Sequence, residues 1–138
     1  MVVTPNFHMN GNCKEAIQLY QKALDAKIVS IFCNSDANPQ DYQLKPDEKD
    51  FVYHAEIMIG NQRIMMTDDL SDFPPKGNTL SLVITFDTSE EVKKVFDGFA
   101  NACQVISPMK STTYSSCFVS LIDKYDVRWE FMTEQTER

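Results

Sequence analysis

Two stretches of the chain, NGNCKEAIQLYQKALDAKI from Asn10 to Ile28 and DTSEEVKKVFDGF from Asp87 to Phe99, carry the same local instruction. In the first, Asn12 is followed three places on by Glu15, then by apolar Ala16, Leu19, Tyr20, Ala23 and Leu24. In the second, Thr88 is followed by Glu91, then by Val92, Val95, Phe96 and Phe99. Each pattern predicts an N-cap with a carboxylate at the third helical position, opening an amphipathic helix. The caps stand 88 − 12 = 76 residues apart, and that offset carries Glu15 onto Glu91, Leu19 onto Val95 and Tyr20 onto Phe96. Capping boxes are common, so the helices alone could match by accident; the strands around them argue otherwise.

A strand candidate precedes each helix, NFHM for the first and LSLVITF for the second. Three follow each: KIVSIFC, FVYHAEIMI and RIMMT, then CQVIS, SCFVSLI and VRWEFM. The last two of each set are joined by hairpin signals, Gly60-Asn61 in one half and Asp123-Lys124-Tyr125-Asp126 in the other. Both halves therefore read β-α-β-β-β, an α+β chain of two βαβββ modules with mixed sheets. Module 1 covers about residues 1–70 and module 2 about 79–133 of a single 138-residue domain. The connector at about 71–78, within SDFPPKGNT, holds two prolines and a glycine. One such unit is too small to bury its sheet and helix alone, so two must share a core or pair with another chain.

Composition excludes several partners. A formal net charge of −7 and a pI near 4.7 repel phosphate backbones and anionic bilayers, so neither nucleic acid nor membrane is an expected partner. No apolar run approaches bilayer length, and MVVTPNFHMN lacks a basic segment followed by an apolar one; the expected compartment is the cytoplasm. Cys13, Cys33, Cys103 and Cys117 form no CxxC pair and read as free, mostly buried thiols.

The segments TPNFHMNGNCKEAIQLY, VYHAEIMIGNQRIMMTDD and YSSCFVSLIDKYDVRWEF, spanning nearly the whole chain, resemble the PhnB-like branch of the vicinal oxygen chelate superfamily. That superfamily includes glyoxalases, bleomycin-resistance proteins and extradiol dioxygenases. The resemblance implies sheets curled into a cup, helices on the outer face, and a homodimer. Two positions depart from the branch's pattern: Tyr114-Ser115 replaces Trp-Gly, and Asp126 replaces a hairpin glycine. Aspartate tolerates the left-handed conformation better than most residues, so the hairpin is expected to survive.

Alternation sorts the strand faces. Tyr53, Ala55, Ile57 and Ile59 are expected on the helix side, with Val52, His54, Glu56 and Met58 facing the cup. Leu80, Leu82, Ile84 and Phe86 are likewise expected on the helix, opposite Ser81, Val83 and Thr85. Val127, Trp129 and Phe131 oppose Arg128, Glu130 and Met132. On the first strand, residues 5, 7 and 9 are expected in the cup, leaving His8 on the helix side or an interface as a structural histidine.

In metal-dependent proteins that the chain resembles, His or Glu at four strand positions hold the ion. Here these fall on Pro5, Ser81, Met65 or Met66, and Glu130. Only Glu130 suits a hard divalent metal, so no metal and no cofactor are expected. A non-standard set of His54, Glu56 and Glu130 is the competing arrangement, and a divalent-metal lyase or oxidoreductase the corresponding activity. The preferred ligand-binding residues are His54, Glu56, Met66, Tyr114 and Glu130, with His54, Glu56 and Glu130 also candidate catalytic groups. Cys117 reads as a packed thiol, and Met58, Met65 and Met132 as cup lining or gap filling.

The polar segment NSDANPQDYQLKPDEKD, residues 34–50, is expected to be mobile, with a lid or dimer arm as the sharper alternative, and TEQTER to fray. Two function classes follow. One is a metal-independent protein that binds a small-molecule ligand, which the acidic charge would suit if cationic. The other is an enzyme in which His54 exchanges protons with Glu56 or Glu130. Methyl transfer, implied by the demethylubiquinone methyltransferase-like label of that branch, lacks a glycine-rich strand-to-helix loop for a nucleotide cofactor.

Overall fold

In the computed structural model, which describes residues 1–70, 77 and 79–135, the alternating and helical patterns become two sheets, each with one long helix. The first half runs β1 (Asn6–Met9), α1 (Cys13–Leu24), β2 (Lys27–Cys33), β3 (Val52–Ile59) and β4 (Gln62–Asp68). The second runs β5 (Leu82–Phe86), α2 (Ser89–Phe99), β6 (Cys103–Lys110), β7 (Phe118–Asp123) and β8 (Arg128–Thr133). The sheet orders β1-β4-β3-β2 and β5-β8-β7-β6 are the same topology twice, with the first strand of each half parallel to the last. The chain divides into compact units over Met1–Pro75 and Lys76–Arg138. Most of the expected connector, and the end of the TEQTER tail, lie outside the described residues.

Each helix buries one stripe against its own sheet. Cys13, Ala16, Ile17 and Tyr20 of α1 recur at spacings of three and four, as do Val92 and Phe99 of α2 with half-buried Val95 and Phe96 between them. Opposite α1 lie Ala55, Ile57, Ile64 and Met66, paired in register as Ala55↔Met66 and Ile57↔Ile64. The second unit fills the same position with aromatic rings: Phe99 lies 5.5 Å from Phe131 and 6.1 Å from Trp129, and Phe86 6.3 Å from Phe131. The hairpin between β7 and β8 closes on buried Asp123. Its carboxylate accepts the Tyr125 and Val127 amides and, at 2.9 Å, the Trp129 indole N–H. Asp126 takes φ 68, a left-handed conformation that aspartate tolerates better than most residues.

The two helix starts differ. Thr88 and Glu91 form the expected reciprocal box, the Thr88 hydroxyl accepting the Glu91 amide and the Glu91 carboxylate accepting the Thr88 amide. Asn12 makes no side-chain cap. Its place is taken from across the unit by Asp68 at the end of β4, whose carboxylate accepts the Cys13 amide at 2.9 Å and the Val52 amide at 2.8 Å. One carboxylate thus ties the helix start to the first residue of β3, with the sign that the helix N-terminus prefers. Burial, then the Asp68 charge, pushes the Cys13 thiol up to about 12, so it stays neutral in the core.

Three sequence expectations are corrected, two of them by local insertions. Phe7 packs edge-to-face on Tyr20 and Met9 is buried, so residues 7 and 9 face the helix and His8 lies on the opposite, open face. The reason is one extra residue. Met9 and Asn12 are separated by Asn10 and Gly11, whereas Phe86 and Thr88 are separated by Asp87 alone. Gly11 absorbs the insertion at φ 87, and strand positions therefore correspond at an offset of 77, not the 76 that relates the helices. In β3 the register skips between Phe32↔His54 and Cys33↔Val52, so alternation slips there. Val52 becomes fully buried, and Tyr53 turns to Tyr42 with ring centroids 6.0 Å apart. Leu80, expected on the helix side, precedes β5 and is 86% exposed.

The 34–50 segment, expected to be mobile, carries its own hydrogen bonds in this structure. Buried Asn34 donates to the Glu48 carbonyl at 2.8 Å, the Asn34 amide donates to Phe51 O, and the Tyr42 hydroxyl donates to the Glu48 carboxylate at 2.7 Å. Short 3-10 turns at Asn34–Asp36 and Pro46–Glu48 close it as a surface loop.

The different helix starts have different expected costs. Asp68→Ala removes two charge-assisted bonds and should cost about 3 kcal/mol in urea unfolding. Thr88→Ala should cost about 1 kcal/mol. Hydrogen exchange should speed at both Cys13 and Val52 in the first variant, but only at the start of α2 in the second.

Candidate functional site

The helix-facing side of each sheet is packed by its own helix, so the polar groups stand on the opposite face, the open face of each unit, where Phe118 and Ser120 are nonetheless buried. In the first unit that face carries Asn6 and His8 of β1, Met65 and Thr67 of β4, and His54, Glu56 and Met58 of β3. The β3–β4 hairpin turns through Gly60-Asn61, with Gly60 at φ 58, and so brings Arg63 beside Glu56. The Arg63 guanidinium donates to Glu56 Oε1, and His54 Nε2 stands 3.4 Å from that oxygen. The Arg63 hydrogen bond, opposed by partial desolvation and joined by His54, holds the Glu56 carboxyl below the usual carboxylate range. Glu56 is consequently a weak proton acceptor, suited to orienting His54. His8 pairs separately with Asp69, Nδ1 to Oδ2 at 3.2 Å.

Met66, expected as a ligand-binding residue, is fully buried, pairs with Ala55 and Phe7, and faces α1. Its neighbour Met65 occupies the open-face position, paired with Asn6 and Glu56. Since Asn6↔Met65 is the counterpart of Val83↔Glu130, the first unit's equivalents of Ser81 and Glu130 are Thr4 and Met65.

In the second unit β8 presents Arg128, Glu130 and Met132 to the open face, as alternation predicts. Glu130 is half-buried and accepts the Ser81 hydroxyl at 3.1 Å; Arg128 Nη2 is 4.0 Å from the same oxygen. Beside Glu130 in register lies Ser120 of β7, 3% exposed, with no hydrogen-bond partner for its hydroxyl. Tyr114 is 51% exposed, its ring edge-on to Phe118 at 5.8 Å. Ser115 is buried; its hydroxyl donates to Cys117 O at 2.9 Å and accepts the Cys117 amide. Cys117 is itself buried, as a packed thiol should be.

Within the first unit His54, Glu56 and Arg63 form one group, and within the second Ser81, Glu130 and Arg128 form another, with Ser120 beside Glu130. Sequence reasoning missed Arg63, Ser120 and the Ser81–Glu130 bond. Ser120 had a legible signal: it is the polar residue interrupting an otherwise apolar run, Phe118 to Ile122. Thr4 and Met65 in the first unit and Ser81 and Glu130 in the second, the corresponding first- and last-strand positions, include a single carboxylate or imidazole donor, Glu130. Among the described residues no group of three His, Cys, Asp or Glu could hold a metal. The donor set does not fit a divalent ion.

A family model described as 3-demethylubiquinone-9 3-methyltransferase matches residues 2–132. Protein YjdN of Escherichia coli K12 is 27% identical, over 94% of this chain and 92% of that protein. The solved PhnB protein from Bacillus cereus is 28% identical, covering 96% of this chain and 99% of that one, with a TM-score of 0.79. A glyoxylase/bleomycin resistance protein/dioxygenase domain from Frankia covers 100% and 94% at a TM-score of 0.72. At 10% identity that last likeness shows the fold alone.

The Glu56 environment sets a pH test. Its folded pKa lies below the ordinary 4.5, so the stability it contributes is present above that value and lost as pH falls through the lowered one. Arg63→Gln should move the Glu56 carboxyl titration, followed by carbon-detected NMR, upward towards 4.5. An unmoved midpoint would mean that Arg63 is not its cause.

Proposed function

Because this chain belongs to the family described as 3-demethylubiquinone-9 3-methyltransferase, the PhnB-like branch of the vicinal oxygen chelate superfamily, we propose that it binds a small molecule without a metal. The observation that carries this reading is the donor set. Where relatives of this fold place His or Glu, the chain has Thr4, Met65 and Ser81, and the remaining Glu130 is engaged by a serine hydroxyl at 3.1 Å. Each open face still offers what a binding surface needs: a few placed polar groups among methionine and aromatic side chains. His54 and Glu56 on the first unit, and Glu130 and Tyr114 on the second, are the proposed contacts. Methyl transfer gains no support, since the strand-to-helix turn before α1 carries Gly11 alone and the one before α2 carries no glycine.

Acid–base catalysis is a second reading, favoured by the 3.4 Å approach of His54 Nε2 to Glu56. In it His54 moves the proton and Glu56 holds the ring, because Arg63 already satisfies the carboxylate. Assembly and location are proposals of the same standing. Exposed apolar residues on the edge strands, Ile28, Val29 and Phe32 of β2 and Val105 and Ile106 of β6, support a homodimer. Four free thiols support a reducing compartment, the cytoplasm. No helix among the described residues is long and apolar enough to cross a membrane.

Metal analysis before and after chelator dialysis, run beside a thermal-shift ligand screen, tests the main reading. The expected outcome is a substoichiometric metal content and a melting temperature indifferent to chelator. A bound compound at a hundred times its Kd should add about 2.7 kcal/mol. A stoichiometric divalent ion that survives chelation would overturn it. For the second reading, His54→Ala should abolish turnover of any substrate found while leaving the melting curve in place. Full turnover in that variant would remove His54 from the chemistry.

A further inference from the structure

We propose that the open face of the second sheet is a recognition site for a primary ammonium group, read by Glu130 and Ser120 together. This rests on the small-molecule reading above and gives it a ligand class and a place. The starting point is Ser120. Its hydroxyl is buried, on a residue only 3% exposed, and finds no hydrogen-bond partner. A hydroxyl left in that state destabilises the free protein, and native structures rarely keep one without a use. An alanine would fit the same strand position without the penalty.

The direction of the side chain follows from the ladder. Val119 and Leu121 lie on the helix side with Trp129 and Phe131, so Ser120 lies on the other side, opposite Glu130. Cross-strand neighbours stand roughly 5 Å apart at Cβ, which lets one small group touch both. Acceptor capacity is in surplus there. An ionised carboxylate offers about four acceptor sites, and Glu130 has one hydrogen bond, from Ser81. Arg128 forms an ion pair with Glu130 at 4.0 Å, which leaves the hydrogen-bond acceptor sites of the carboxylate unfilled. Ser107, next in the row on β6, adds a further hydroxyl.

A group with several donors and a positive charge matches that surplus, and an ammonium carries three donors. The chain's net charge of −7 draws cations to it in general. Phe118 and Ile122 flank Ser120 on its own strand, with Met132 paired to Phe118. They provide apolar walls for the carbon skeleton of such a ligand.

Three probes with one ring and different heads separate the possibilities: benzylamine, benzyl alcohol and benzoate, titrated into the isotopically labelled full chain. Benzylamine should shift the backbone amides of Ser81, Ser120 and Glu130, with at least tenfold tighter binding than either of the others. Glu130→Gln and Ser120→Ala should each weaken it by tenfold or more. Ser120→Ala should also raise the ligand-free melting temperature by a few degrees, which a hydroxyl with a hidden partner would not do. Benzoate binding as well as benzylamine, or a lowered melting temperature in Ser120→Ala, would overturn the assignment. Benzylamine shifts confined to the His54–Glu56 face would overturn it too, while leaving small-molecule binding intact. Failure of all three probes to bind anywhere, with no hit in the wider ligand screen, would remove both.

Discussion

A four-stranded sheet with one helix laid on one face is the arrangement on which everything else in this protein depends. The helix can cover only one side, so the apolar residues of all four strands must agree on which side that is. They do so twice, through Ala55, Ile57, Ile64 and Met66 in one unit and Val119, Leu121, Trp129 and Phe131 in the other. The groups that do not fit this agreement are the ones left with chemistry to perform. His54, Glu56, Glu130 and Ser120 stand on open faces because their neighbours in sequence are needed on the covered ones.

The two copies reach the same topology with different materials. On the sheet side of the core the first unit uses aliphatic and methionine side chains, whereas the second adds the packed rings of Trp129 and Phe131. One helix start is capped locally by Thr88, the other from 55 residues away by Asp68. A local cap forms with its helix. A distant one forms only once β4 has found its place, so the start of α1 depends on the whole of its sheet. Topology is thus the shared property of the halves, and the bonds enforcing it are free to differ.

Much of this was legible in the sequence, for a physical reason. Strands alternate with period two and helices with period 3.6, and both periods survive in one chain with no homologues beside it. Hairpins at Gly60-Asn61 and Asp123 to Asp126 and the order of elements followed from those periods. What escaped was anything that shifts a period by one. Gly11 inserts a residue between β1 and α1 and reverses the expected sides of Phe7 and His8. The slip beside Tyr53 does the same to Val52. Met66 was misplaced because its position against Met65 depended on a one-residue alignment that only the hydrogen-bonded ladder fixes. Asn12 looked like a cap because its competitor, Asp68, is remote in sequence. Local rules cannot see a partner brought in by the fold.

The Trp129–Asp123 bond has a practical corollary. Trp129 is the chain's single tryptophan, buried in the second unit and held through its indole nitrogen by a carboxylate in the same hairpin. Its emission is therefore an optical gauge of one half of the molecule. Fluorescence will be silent on any event confined to the other half, where tyrosines are the nearest reporters. A melt followed by tryptophan and one followed by backbone circular dichroism will coincide only if the halves come apart together.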